Sequence, residues 1–308
     1  MLRPRHTEGA TSLHSATRIA SGSIVVGLVV LALKSAAWWL TGSAALYSDA
    51  LETVVNVAAS VMALYALRVA SQPADHDHPF GHAKAEFLAA AVEGALIVVA
   101  AASILQHAWD TWQHPHVLQA PLAGIGINAV ATLINFVWAQ LLLRVAGRAR
   151  SAALAADARH LLADVATGLG VIAGVTLVIV TGHLWFDPVT AALTAVYVLW
   201  SGLRLIRHSA GALMDEALDD ATLAQIRDVI RANGAGALEA HDLRTRHAGK
   251  NTFLEFHLVV PGEMPVAEAH DICDRIEAAF HREMDHLIVV IHVEPDNKAK
   301  RQGVLLLS

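Results

Sequence analysis

The chain has 308 residues, 55% apolar and 16% charged, against roughly 25% charged in an average soluble domain, so an ordinary water-soluble fold is excluded for most of it. A net charge of -6 carries no basic field and argues against nucleic acid as a partner. The single Cys273 excludes an internal disulfide and a cysteine-rich zinc cage.

Residues 1–15 are polar and lack the logic of a cleavable signal, so they are expected to form a disordered cytoplasmic arm. Residues 16–214 then hold apolar stretches long enough to cross a bilayer core of about 30 Å. Six spans can be read: Arg18 to Leu40, Ala44 to Ala70, Glu86 to Trp109, Leu122 to Val145, Ala156 to Thr181 and Phe186 to Leu213. The connections at Thr41–Ser43, Gln113–Pro121 and Thr181–Pro188 have no Lys or Arg. Arg68 and Lys84 flank one alternate connection, and Arg144, Arg148, Arg150 and Arg159 crowd another. That asymmetry predicts both termini on the cytoplasmic side of a multi-pass plasma (inner) membrane protein.

Residues 215–296 read as a soluble α+β domain in the order helix, strand, strand, helix, strand. Asp219–Ala232 and Pro265–Met284 have helical periodicity, whereas Glu239–Arg246, Thr252–Val260 and Leu287–Glu294 alternate as strands do. Residues 297–308 are expected to be a flexible tail, with an apolar Leu305–Leu307 run able to dock. The fold class expected is an all-α six-helix transmembrane bundle followed by a small αββαβ, metallochaperone-like cytoplasmic domain.

Ionisable groups inside spans are costly and usually face the bundle interior, where they mark an ion path. His160 and Asp164 are four apart in the fifth span and share a helix face. An imidazole nitrogen with a carboxylate oxygen makes half a site for zinc, iron, manganese or cobalt, and the plain alternative is a structural His–Asp bond. Asp49, Glu52 and Asn56 share a face of the second span, and Glu52/Asn56 repeats the four-residue spacing. Two such facing pairs place four ligands around one ion. Asp49 is either a further ligand or simply wet near the membrane surface. Glu93 receives no role, and Lys34 either snorkels or pairs with an acid.

The connection after the second span packs Asp75, His76, Asp77, His78 and His82 into eight residues among turn-forming Pro and Gly, a better match to a metal site than to a solvated loop. The soluble domain adds His241, His257, His270, His286 and His292. Glu294 follows His292 by two on one strand face, so these two can chelate together.

Taken together, SDALETVVNVAAS, QPADHDHPFGHAKAE, ADARHLLADV, LMDEAL, AHDLRTR, FHLVV, AEAHD and VIHVEP resemble the cation diffusion facilitator family over nearly the whole chain, most closely its bacterial ferrous-iron and zinc efflux branch. The resemblance implies homodimers that exchange a divalent metal for protons. It implies a transport site at Glu52, Asn56, His160 and Asp164, and a loop site at Asp75, His78 and His82. It further implies a binuclear regulatory site at His241, His257, His270, His292 and Glu294, and a dimer-stabilising salt bridge between Lys84 and Asp215. Branch members carry Asp or His in place of Glu52, Asp in place of Asn56, and Asp in place of Glu294. The transport site therefore holds two carboxylates where close relatives have three, with Asp49 one turn away as partial compensation.

The function expected is divalent-metal efflux by alternating access, with protons as counter-substrate and no enzymatic reaction. Metal ligands must be deprotonated to bind, so metal and proton affinities are coupled. An unperturbed imidazole titrates near 6.5, which makes His160 the natural switch. Nitrogen and oxygen donors without thiolate argue against copper(I) and leave Zn2+ or Fe2+, then Cd2+, Co2+ and Mn2+. An intramembrane metalloprotease is disfavoured because no span has the His-Glu-x-x-His pattern. A membrane metal sensor or scaffold without transport is the rival reading.

Overall fold

A computed structural model of the protein describes residues 8–149, 152–249, 251–300 and 305–306. The chain divides into two compact units, residues 1–64 with Ala90–Ile206 and Tyr65–Ala89 with Arg207–Ser308. The connection after the second span thus groups with the soluble segment, a division that differs from a single boundary at Met214/Asp215.

Six helices among the described residues are long and apolar enough to cross a membrane. They are α1 (Glu8–Thr41), α2 (Ala44–Ala70), α3 (Ala85–Gln113), α4 (Pro121–Ala149), α5 (Ala152–Thr181) and α6 (Phe186–Leu213). α1 begins at Glu8, inside the segment expected to be a loose arm, because no proline follows Pro4 to stop a helix. Residues 1–7 of that expected arm lie outside the described residues. α1 ends where Gly42 takes φ +68° and its N–H bonds back to Trp38 O at 2.8 Å, the left-handed cap that glycine adopts without strain.

Within the first unit, α4 packs closely on both α1 and α5. Small residues make this possible: a Cβ on Gly124 would meet Thr41 and one on Gly168 would meet the Thr132 hydroxyl. The N-terminus of α2 is tied to α6 by Asp187, which accepts hydrogen bonds from Ser43 Oγ (2.5 Å), Ala44 N (2.7 Å) and Ala45 N (3.1 Å). A carboxylate there satisfies orphan N–H groups and complements the helix dipole.

In the second unit, α7 (Asp220–Asn233) and α8 (Val266–Glu283) accompany β1 (Glu239–Ala248), β2 (Asn251–Val260) and β3 (Leu287–Pro295). β1 and β2 are antiparallel, and β2 and β3 are parallel. The core buries Phe256, Phe280, Ile230 and Ile276 between the helices and one sheet face. Within the segment expected to be a flexible tail, Asp296–Lys298 form a 3-10 turn, and Leu305–Leu306 form β4, paired antiparallel with Glu239–Ala240, where the apolar Leu run docks. An edge strand presents unpaired backbone groups, and the apolar Leu run supplies partners for them. The sheet order is β3-β2-β1-β4.

Candidate metal centres

In the first unit, α2 and α5 bring their pairs together. Asn56 Nδ2 donates to Asp164 Oδ2 at 3.0 Å. Glu52, Asn56, His160 and Asp164 line one cavity of about 50 Å3 with Tyr197 and Ser201 of α6, room for an ion and a few waters. Asp164 is buried at 5% exposure, and Glu52 Oε2 is buried with no hydrogen-bond partner among the described residues. A carboxylate oxygen left so in an apolar bundle is costly unless a cation meets it. Tyr197 and Ser201 were not singled out from the sequence. Their signal is two polar residues four apart on one face of the sixth span.

Asp49 does not line this cavity. Its Oδ1 accepts from the Lys34 ammonium at 2.7 Å, with the two side chains 0% and 2% exposed. Of the two options read for Lys34, pairing with an acid is the one realised; Asp49 is dry rather than wet, and it is the partner of Lys34.

In the second unit, Asp75, His78 and His82 offer ligand atoms within 4.8 Å of one another. Asp75 Oδ1 accepts from the His78 backbone N–H at 2.6 Å, lies 3.2 Å from His78 Nδ1, and Asp75 Oδ2 lies 3.4 Å from His82 Nε2. The His78 backbone bond is the main cause holding the Asp75 carboxyl below the usual range. His76 and Asp77 contact each other at 3.4 Å on the exposed side of the loop and stand outside the cluster.

On the sheet, register does the assembly. His257 pairs with His241 on one side and with His292 on the other, so three imidazoles form a row across β1, β2 and β3. Ring centroids are 5.3 Å apart for His241–His257 and 4.9 Å for His257–His292. Glu294 bridges them, with Oε2 3.4 Å from His241 Nε2 and Oε1 3.2 Å from His257 Nδ1 and 3.7 Å from His292 Nε2. His241, His257 and Glu294 form a group able to hold a metal ion. The two buried ring nitrogens of His241 and Nδ1 of His257 face the Glu239 and Glu294 carboxylates at 3.2–3.4 Å. A β-bulge follows His241, with Asp242 at φ +53°, a common device for aiming a side chain. His270 is elsewhere, exposed on α8 and 3.5 Å from Asp274.

A residue missed in the sequence sits behind His241. Glu239 Oε1 lies 3.3 Å from His241 Nδ1, both side chains being 2% exposed. Its signal was parity, since it precedes His241 by two on the same strand face.

Lys84 and Asp215 meet within one chain, Nζ to Oδ1 at 2.8 Å, and Lys84 also donates to Leu213 O at 3.3 Å. Arg246 adds a contact to Asp215 at 3.4 Å and lies over the rings of Phe80 (5.1 Å) and Phe253 (4.5 Å). The Asp215 carboxyl is accordingly held below the usual range, first by its bond from Lys84.

A polar cavity of nitrogen and oxygen donors inside a bundle of apolar spans, joined to an α+β domain with its own donor cluster, defines a membrane cation transporter. Comparison with known proteins carries this to a family. The cation efflux transmembrane domain matches residues 22–214, and the cation efflux protein cytoplasmic domain matches residues 218–296. The chain belongs to the cation efflux family, the cation diffusion facilitators. It is 40% identical over 273 residues to the uncharacterized transporter sll1263 of Synechocystis sp., covering 89% of this chain and 88% of that one. It is 30% identical over 292 residues to the cation-efflux pump FieF of Salmonella paratyphi A, covering 93% of this chain and 95% of the pump. Among solved structures it resembles a zinc form of the putative zinc transporter CzrB at 48% identity and TM-score 0.27, covering 28% of this chain and 99% of that one. Members of this family are transporters, not enzymes.

Proposed function

We propose that the protein exports a divalent transition metal, with zinc or ferrous iron as cargo and protons as counter-substrate, through the site at Glu52, Asn56, His160 and Asp164. The observation that carries the reading is the closure of the α2 pair on the α5 pair around one small cavity, with Asn56 and Asp164 3.0 Å apart. Nitrogen and oxygen donors suit zinc and ferrous iron better than copper(I). The printed name of a cation-efflux pump among its relatives supports a cation as cargo. Metal can bind only deprotonated ligands, so protons arriving from the opposite side displace it without a further device.

The loop site at Asp75, His78 and His82, and the sheet site at His241, His257, His292 and Glu294, read as metal-sensing sites. His270 joins the latter only if a second protomer brings it there, in keeping with the dimer-forming cytoplasmic domain of the family. The Lys and Arg bias of the connections supports a cytoplasmic side for both termini, with the homodimer in the inner membrane. In proteoliposomes with a pH gradient, the protein should move Zn2+ or Fe2+, and His160→Ala should abolish that flux. Undiminished flux in the variant would sink the assignment.

A further inference from the structure

Lys34 and Asp49 lie outside the ligand set, yet both are fully buried and joined at 2.7 Å. Lys34 is among the largest fully buried side chains of the described residues. Asp49 precedes Glu52 by three residues on α2, which places it on the same face, about 4.5 Å along the axis. The second oxygen of each carboxylate, Asp49 Oδ2 and Glu52 Oε2, is buried with no hydrogen-bond partner among the described residues. Lys34 also lies within electrostatic range of Glu52 and Asp164.

A buried ion pair is a poor device for stability, because desolvation consumes most of the attraction. Here its neighbours give it another use. Asp49, Glu52 and Asp164 are three acids in one cluster, whereas Asn56 is neutral. With Asp49 unpaired, three anionic side chains would face one divalent ion and leave an excess negative charge in the bundle. The Lys34 ammonium cancels one acid.

We propose that Lys34 is a counter-charge that sets metal affinity: by holding Asp49 out of coordination, it leaves Glu52 and Asp164 as the two uncompensated carboxylates that one divalent cation neutralises. This rests on the transport-site reading above. It makes Asp49 a latent ligand, withheld by Lys34.

The test uses the full-length protein with Zn2+ as probe, in flux and in direct binding to the purified protein. Lys34→Gln frees Asp49, so zinc affinity should rise about tenfold or more while maximal flux falls. Asp49→Asn leaves an unpaired cation beside the site, so affinity should fall by a similar factor. The double variant Lys34→Gln/Asp49→Asn removes both charges and should return affinity and flux towards the parent values. Opposite shifts with mutual rescue are the expected signature. Single variants that shift affinity in the same direction, or a double variant as impaired as the worse single, would overturn the proposal. Should Lys34→Gln fail to fold, the double variant still decides, since a folded double that has lost zinc affinity is equally fatal. If the parent carries no metal flux at all, the transport reading fails by itself, and the binding measurements still judge the counter-charge.

Discussion

The Asn56 amide donates to Asp164 across 3.0 Å, so the two pairs that build the cavity are already in contact with each other. A carboxylate in place of Asn56 would face Asp164 as a like charge, which is unfavourable without metal and favourable once an ion lies between them. Asn56→Asp should therefore lower the thermal stability of the metal-free protein and enlarge the shift on adding Zn2+. Zinc affinity should rise about tenfold or more with the added anionic ligand. Thermal unfolding in detergent with and without metal, alongside a zinc titration, checks both directions.

Glu239 and His241 meet at 3.3 Å with neither exposed. A carboxylate on Nδ1 of a ligating imidazole fixes its tautomer and leaves Nε2, the nitrogen facing Glu294, free for the metal. Losing such a partner typically costs about 10–100-fold in metal affinity. Glu239→Gln should weaken metal binding at the sheet site by that order, and the d–d spectrum of bound Co2+ should change while flux through the membrane site is retained. Unchanged affinity would remove Glu239 from the site.

Much of this was legible in the sequence, for a physical reason. Membrane spans and strand faces are set by local periodicity, so the spacing of His160 and Asp164, and the parity of His292 and Glu294, survive folding unchanged. What was not legible depends on long-range partners. Nothing local tells Lys34 to take Asp49 rather than snorkel, and Asp187 is 143 residues from the Ala44 N–H it caps. His270 had the right residue type but a helix that leaves it exposed beside Asp274. The strand register that aligns His241, His257 and His292 follows from pairing, which alternation alone does not fix.

At the loop, Asp75 stays ionised well into acid because the His78 backbone N–H holds its carboxyl low. The loss of loop-site zinc on mild acidification should then track protonation of the imidazoles, which must be neutral to bind. Asp75→Asn should weaken zinc at every pH between 5 and 8 and leave unchanged the number of protons released per zinc bound in that range. A smaller proton release in the variant would show that Asp75 itself titrates there.

The Lys84–Asp215 contact predicts a pH-dependent stability of known sign. Asp215 has a folded-state pKa below its unfolded value, which is about 3.9 for a free Asp. Its contribution is thus fully present above that unfolded value and is lost as pH falls through the depressed folded one. Asp215→Asn should lower the unfolding temperature by an amount constant from pH 5 upward and shrinking below about pH 4. The contact is partly exposed and screened by salt, so the effect should be small and should diminish at high ionic strength.

Asp187 predicts the larger effect. It accepts from Ser43 Oγ, Ala44 N and Ala45 N, and is itself 2% exposed. Removing it strands two backbone donors in a dry place at the start of α2, and each unsatisfied buried donor costs about 1–3 kcal/mol. Asp187→Ala should therefore destabilise the first unit by on the order of 3 kcal/mol, whereas Asp187→Asn, which keeps one acceptor oxygen, should cost about half as much. Because α2 carries Glu52 and Asn56, fraying its first turn should also reduce zinc affinity at the membrane site. Detergent-solubilised thermal unfolding with a parallel zinc titration separates the two effects. Equal stability of Asp187→Ala and the parent would mean that water replaces the carboxylate at this helix end.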